Sequence, residues 1–159
     1  YKNVSTLIKA INLMPDYTLI LLGRIRPRTR AALEKIITNP KQVVFKNGVT
    51  DQEYHEELSR AAALVNASKF EGFGLPLVEA QAAGVPVVCS DIPVFHEVCA
   101  GESALFFNPS NPKELVARVG ELPEKHTALI AAGKRNAARF TWQQSAQDLY
   151  DIITQYIKT

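Results

Sequence analysis

Two glutamates, Glu71 and Glu79, flank the stretch Gly72-Phe73-Gly74-Leu75-Pro76-Leu77-Val78. An ionised carboxylate accepts hydrogen bonds from hydroxyls, and such charge-assisted bonds are the stronger kind. Between the two lie a Gly-Phe-Gly turn and a helix start. Pro76 suits the first helical position, where a missing N–H leaves no partner unsatisfied. Gly84 and Pro86 suit the helix end. On this reading Glu79 falls in the first turn or so, near the positive end of the helix dipole, and Glu71 stays in the loop before it. The amides of Phe73, Gly74, Leu75 and Leu77 are candidates to meet an anion, as helix N-termini meet phosphates. A glycine on each side of Phe73 admits a ligand close to the backbone. The segment therefore predicts a site for a molecule with phosphate at one end and hydroxyls at the other. Read as isolated residues, Glu79 is equally at home as a solvated helix glutamate, and Glu71 as a loop carboxylate capping the Phe73–Leu75 amides.

The remaining reactive side chains are less organised. His55, His96 and His126 show no spacing suited to a metal or a catalytic triad. His96 and Glu97 stand together in Pro93-Val94-Phe95-His96-Glu97-Val98, where Glu97 is expected to hold a loop rather than react. Cys89 ends an apolar run and Cys99 closes a short helix-like segment. Neither has metal-ligand spacing, so the expectation is buried thiols in a reducing compartment. Arg24, Arg26, Arg28 and Arg30 form a basic run with two readings: a rim for a diphosphate or another anion, or a solvated loop and helix start.

These residues need a scaffold, and the chain has the means to build one. At 159 residues it is expected to form one domain with a substantial core. The apolar share of 47% and charged share of 21% are ordinary for a globular protein. A net charge of +2 is too mild to argue for nucleic acid. No apolar run is long enough to span a bilayer, and no signal peptide is visible. A chain that opens on Tyr1 rather than Met implies that the native polypeptide begins upstream.

Five apolar runs predict strands: 18–22, 43–46, 63–67, 85–89 and 104–107. They are near-continuously apolar, as in a parallel sheet buried on both faces. Helical patterns lie between and after them, over 4–13, 28–37, 51–61, 111–122, 128–140 and 142–157. Thr50 and Glu53 have capping-box spacing at the start of the third. The alternation predicts an α/β fold, a Rossmann-like, doubly wound parallel sheet. Right-handed crossovers then bring the strand C-termini, and any ligand, to one edge, where the arginine run also falls.

The block from Glu71 to Ala80, with Gly84-Val85-Pro86-Val87-Val88 after it, closely resembles the paired-glutamate signature of retaining GT-B glycosyltransferases of group 1, also called family 4. Leu19–Gly23, Val43–Val49 and Ala61–Ser68 resemble the flanking strand blocks, and Phe140-Thr141-Trp142 resembles the family's C-terminal ending. The resemblance implies that residues 1–159 are a nucleotide-sugar-binding C-terminal domain, one half of a GT-B fold. It also implies an upstream N-terminal acceptor domain and a central strand preceding the helix near Lys2, both outside this chain.

The roles it implies are specific. Glu79 accepts hydrogen bonds from the ribose hydroxyls. Glu71 is the catalytic carboxylate beside the transferred sugar. Phe73, Gly74, Leu75 and Leu77 meet sugar and diphosphate, Lys2 joins the diphosphate clamp, and Val49 offers its backbone to a base edge. Arg24 is a further donor contact, on a loop that departs from the family's small glycine-containing one. The implied reaction moves a hexose, such as mannose or glucose, from a nucleotide-diphosphate sugar to a glycan or lipid-linked acceptor with retention, in cell-surface polysaccharide or lipopolysaccharide synthesis. No cofactor or essential metal is expected, as no Asp-x-Asp motif is present. The implied setting is cytoplasmic, at the inner face of the membrane, with peripheral membrane association of the full-length protein. The chain by itself is expected to be inactive or nearly so. Alternatives are a non-catalytic sugar-nucleotide-binding module, a GT-B epimerase or a phosphorylase. A dinucleotide oxidoreductase fails for want of a G-x-G-x-x-G after a strand.

Overall fold

The computed structural model describes residues 1–157. Its helices are α1 (Val4–Ile11), α2 (Pro27–Glu34), α3 (Asp51–Arg60), α4 (Leu75–Ala82), α5 (Pro93–Val98), α6 (Pro112–Gly120), α7 (Leu122–Ala137) and α8 (Trp142–Ile157). Its strands are β1 (Leu19–Leu22), β2 (Val43–Lys46), β3 (Leu64–Asn66), β4 (Val87–Ser90) and β5 (Leu105–Phe107). All strand pairs are parallel, and helices connect them, as the alternation predicts.

β4 is buried along its whole length and pairs with β3 on one edge and β5 on the other. Its side chains alternate between faces. Val87 and Cys89 enter one apolar cluster with Leu58 of α3, Leu77 and Ala80 of α4, and Phe95 of α5. Val88 enters another with Ala10 of α1, Leu105 and Phe107 of β5, and Leu115 of α6. At the buried join of α4 and α7, Asn136 donates to Gln81 Oε1 and to the Val98 carbonyl, both at 2.7 Å. Gln81 in turn donates to the carbonyl and hydroxyl of Ser103. Each polar group in this join has a partner, so its burial carries no unmet desolvation cost.

Several boundaries differ from the sequence reading. α7 begins at Leu122, well before the predicted start at residue 128. Lys125 and His126 sit where apolar residues would continue the period from Leu122 to Leu129, so the pattern is interrupted while the helix is not. β4 begins at Val87 because Val85 is spent closing α4, its N–H donating to the Ala80 carbonyl at 2.8 Å.

The strands pair in two parallel ladders, β1–β2 and β3–β4–β5, in keeping with a reading that puts the central strand before Lys2 and outside this chain. β1 and β3 line a common cavity of about 950 Å³, but no ladder joins them. Burial records the gap. β1 is wholly apolar, yet Ile20 is 40% exposed, and no residue of β3 is fully buried. Tyr1 and Lys2 also line this slot, and the Tyr1 carbonyl accepts the Lys69 N–H at 3.0 Å. α1 spans the two halves. Leu7 packs against the β4–β5 cluster and also against the cluster of Ile11, Leu21 and Val43.

α8 leaves Leu149, Ile152 and Ile153 exposed on an i, i+3, i+4 stripe. No helix among the described residues is long and apolar enough to cross a membrane.

The split sheet makes a prediction. In hydrogen–deuterium exchange, the amides of Val87–Ser90 should be the best protected. Slot-facing amides of Leu19–Leu22 and Leu64–Asn66 should exchange roughly a hundredfold faster, within the span between local opening and global unfolding. Equal protection in all three strands would contradict the open slot.

Candidate functional site

Gly74 fixes the start of α4. It is the residue before the first turn, with φ 106° and ψ 48°, a conformation that side chains other than hydrogen rarely adopt. A Cβ there would also lie 2.9 Å from the Phe95 ring. The first turn is tight, and the Leu77 N–H donates to the Gly74 carbonyl at 2.9 Å. Leu77 is therefore not a free donor, contrary to the sequence reading. The amides of Phe73, Gly74 and Leu75 donate to no acceptor among the described residues. Because the helix begins at Leu75, Pro76 is its second residue and Glu79 its fifth. Glu79 thus lies in the second turn, deeper than expected, where the dipole contributes less. Phe73 is half-exposed and meets Phe140 edge-on at 5.4 Å.

Glu71 is held from one side. Its Oε1 accepts the Lys2 ammonium at 2.5 Å and the Ser68 hydroxyl at 2.8 Å. Burial pushes its carboxyl up, but the bonds from Lys2 and Ser68 and the lysine's charge outweigh it and hold the group below the usual range. No amide of Phe73–Leu75 donates to Glu71, so the capping alternative is not what the structure adopts. Lys2 is aimed by its neighbour Asn3, which has a left-handed backbone (φ 53°). The Asn3 amide ties that strained turn to the carbonyls of Ala67 at 3.0 Å and Pro109 at 2.7 Å. Asparagine tolerates this region better than most residues. Sequence reasoning missed Ser68 and Asn3. Their role rests on contacts between distant segments that no local pattern announces.

Glu79 is held by a different element. Its Oε2 accepts the Tyr54 hydroxyl at 2.8 Å. Tyr54 belongs to α3, whose start carries the predicted capping box: Thr50 and Glu53 exchange hydrogen bonds of 3.2 and 2.7 Å. Val49, half-buried after the left-handed Gly48, keeps its backbone N–H and carbonyl unpaired among the described residues.

Arg24 is exposed beside the slot and contacts neither carboxylate. Arg26 and Arg28 are exposed as well. Arg30 is committed elsewhere, to Glu34 at 2.8 Å and over the Phe45 ring at 4.8 Å. Glu97 has no hydrogen-bond or ion-pair partner among the described residues, so it does not hold its segment as expected. His96 does, bonding Asp91 at 2.6 Å and stacking on Phe106. Cys89 and Cys99, read as separate contexts, are buried neighbours; the Cys99 thiol and burial push Cys89 up. No cluster of His, Cys, Asp or Glu that could hold a metal occurs among the described residues.

The geometry is thus a row of three unpaired amides between two separately anchored carboxylates. The sequence profile described as Glycosyl transferases group 1 matches residues 1–139. The serotype-specific mannosyltransferase WbdA of Escherichia coli is 34% identical over 84% of this chain and 17% of its own length. The O-antigen chain mannosyltransferase RfbU of Salmonella typhimurium is 35% identical over 78% of this chain and 36% of its own. This chain therefore spans a minor part of these relatives. Among solved structures, Anabaena HepE in complex with UDP-glucose superposes with a TM-score of 0.86 at 22% identity, covering 98% of this chain and 46% of that one. Sucrose-phosphate synthase from Thermosynechococcus elongatus superposes at 0.87 and 22%, covering 99% and 43%. At such identities the two structures speak for the fold.

Lys2→Ala should return the Glu71 carboxyl upward toward or past the usual range in a carbon-13 NMR titration, with a smaller rise for Ser68→Ala. Glu71 is depressed in the folded state. Its contribution to stability is therefore present above the unfolded carboxylate pKa and is lost as pH falls through the folded one. Lys2→Ala should cost at most about 1 kcal/mol at neutral pH, as for an exposed pair, and nothing in strong acid. An unchanged Glu71 titration would contradict the assigned anchor.

Proposed function

This chain belongs to the group 1 glycosyl transferases, and from that premise we propose that it is the donor-binding half of a retaining hexosyltransferase that uses a nucleotide-diphosphate sugar. The observation that carries this reading is the row of Phe73, Gly74 and Leu75 amides, unpaired and flanked by Glu71 and Glu79. Amides and a lysine suit a diphosphate, and carboxylates suit hydroxyls at either end of it.

In this proposal Glu79 takes the ribose end and Glu71 the sugar end. The Phe73–Leu75 amides and Lys2 hold the diphosphate between them. The bond from the anomeric carbon to the β-phosphate oxygen breaks, and a bond to the acceptor oxygen forms on the same face. The acceptor's hydroxyl proton passes to the diphosphate. Negative charge grows on the leaving group, so donors already aimed there lower the barrier. Lys2 has three N–H donors and can serve the diphosphate while keeping Glu71. Glu71, held ionised, supports the positive charge that develops at the anomeric carbon.

The relatives are a serotype-specific mannosyltransferase and an O-antigen chain mannosyltransferase, which favours mannose as the transferred hexose and a cell-surface polysaccharide as the product; a glycan or lipid-linked acceptor, met at the inner face of the membrane, completes the proposal. Their greater length leaves room for a further domain, which this proposal places upstream of the chain and assigns to acceptor binding. The exposed Arg24, Arg26 and Arg28 suit an anionic acceptor.

Isothermal titration of the chain with uridine, guanosine, adenosine and cytidine diphosphates should show one clear preference. Glu79→Ala should weaken that binding by about 1.5–3 kcal/mol, the range for hydrogen bonds to a charged group. Glu71→Ala should scarcely change it, yet should impair turnover of the full-length enzyme. If neither substitution alters binding or turnover, the assignment of the two carboxylates is wrong.

Since amides and Lys2 supply the electrostatic stabilisation in this mechanism, the full-length protein should transfer sugar in excess chelator and keep the anomeric configuration. Proton NMR of the product, with and without chelator, tests both. An inverted linkage or loss of activity on chelation would refute the mechanism.

A further inference from the structure

Tyr54 lies on α3, 25 residues before Glu79, and its ring is packed against the cluster that contains Leu58 and Leu77. The ring is therefore fixed by the core while its hydroxyl reaches the site. That hydroxyl donates to Glu79 Oε2 at 2.8 Å. Glu79 Oε1 has no partner among the described residues. A phenol has one proton to donate and two lone pairs to accept with. With the proton committed to Oε2, the lone pairs of the Tyr54 oxygen remain open. Burial, then the bond to Glu79, pushes the phenol up from its ordinary range, so it stays a neutral donor at any working pH. The structure thus presents two acceptors side by side, Glu79 Oε1 and the Tyr54 oxygen, joined by one hydrogen bond.

Two adjacent hydroxyl donors are what a vicinal diol offers. Resting on the assignment of Glu79 to the ribose end, we propose that Tyr54 is a specificity-determining residue that reads the ribose diol together with Glu79. Glu79 Oε1 accepts one ribose hydroxyl, and the Tyr54 oxygen accepts the other. The Tyr54–Glu79 bond also stops the carboxylate rotating away, so the acceptors are set before the nucleotide arrives. A ligand that lacks one of the two hydroxyls forfeits one of these hydrogen bonds, including one to a charged group, and binds correspondingly less well. Tyr54 therefore makes the site selective for ribonucleotides over deoxyribonucleotides.

The test titrates the chain with UDP and GDP and with their 2′-deoxy and 3′-deoxy forms. The parent chain should prefer the ribonucleotide by about tenfold or more, the factor that 1.4 kcal/mol gives. Tyr54→Phe removes one oxygen and keeps the ring. It should leave the melting temperature nearly unchanged and reduce the preference over at least one deoxy form by about fivefold, within the range for one hydrogen bond. A fluorotyrosine introduced at position 54 strengthens the donated bond to Glu79 and weakens the oxygen as an acceptor. It should therefore keep the carboxylate oriented while lowering the same preference. If Tyr54→Phe weakens ribo and deoxy forms equally, or changes neither, Tyr54 is structural and the inference is overturned. Glu79→Ala separates the two levels. If it abolishes the preference while Tyr54→Phe does not, the Glu79 assignment stands and the role of Tyr54 falls. If Glu79→Ala leaves the preference intact, or if neither diphosphate binds, both fall together.

Discussion

A buried strand must satisfy its backbone groups along both edges, and β4 is where this chain meets that demand in full. β3 and β5 take its edges, while α3, α4 and α5 cover one face and α1 and α6 the other. The consequence reaches the candidate site directly. α4 can lie where it does because Leu77 and Ala80 fill the face of β4 that Val87 and Cys89 present. The loop from Glu71 to Gly74 then has to arrive at the start of that helix, and Gly74 is the residue whose backbone and lack of a side chain permit it beside Phe95.

From this base the two carboxylates are placed by separate mechanisms. Glu71 depends on the loop after β3, through Ser68, and on the N-terminal segment, through Lys2 and the strained Asn3. Glu79 depends on the rigid body of α4 and on Tyr54 from α3. The Gln81–Asn136–Ser103 network pins α4 against α7 on the side away from the site. Each carboxylate thus keeps one oxygen bonded by protein and the other unpaired among the described residues.

Much of this was legible in the amino-acid sequence, for reasons that can be named. The strand runs are almost continuously apolar, and the capping box at Thr50 and the glycines at 74 and 84 are local signals with local causes. The paired glutamates stood out because chemistry and helix punctuation coincide there. What escaped was of a different physical kind. Tyr54 reads as one more apolar position on a helix, and its hydroxyl acquires meaning when α3 and α4 pack together. The Leu77 amide was lost to a tight first turn that propensity does not foretell. Cys89 and Cys99 became neighbours through the α5 connection, and the interrupted period at Lys125 and His126 hid six residues of α7.

The slot between β1 and β3 bears on how the molecule would come apart. A continuous sheet couples its strands through every ladder, so that loss of one edge is felt at the other. Here the β1–β2 half has its own apolar cluster, and Leu7 of α1 with Met14 and Tyr17 just after it packs against both halves. The apolar contact that couples the halves across the slot is thereby carried by the short segment from Leu7 to Tyr17. A weakened Leu7 or Ile11 would do more than subtract local burial. It would turn one thermal transition into two, with the β3–β5 half outlasting the other.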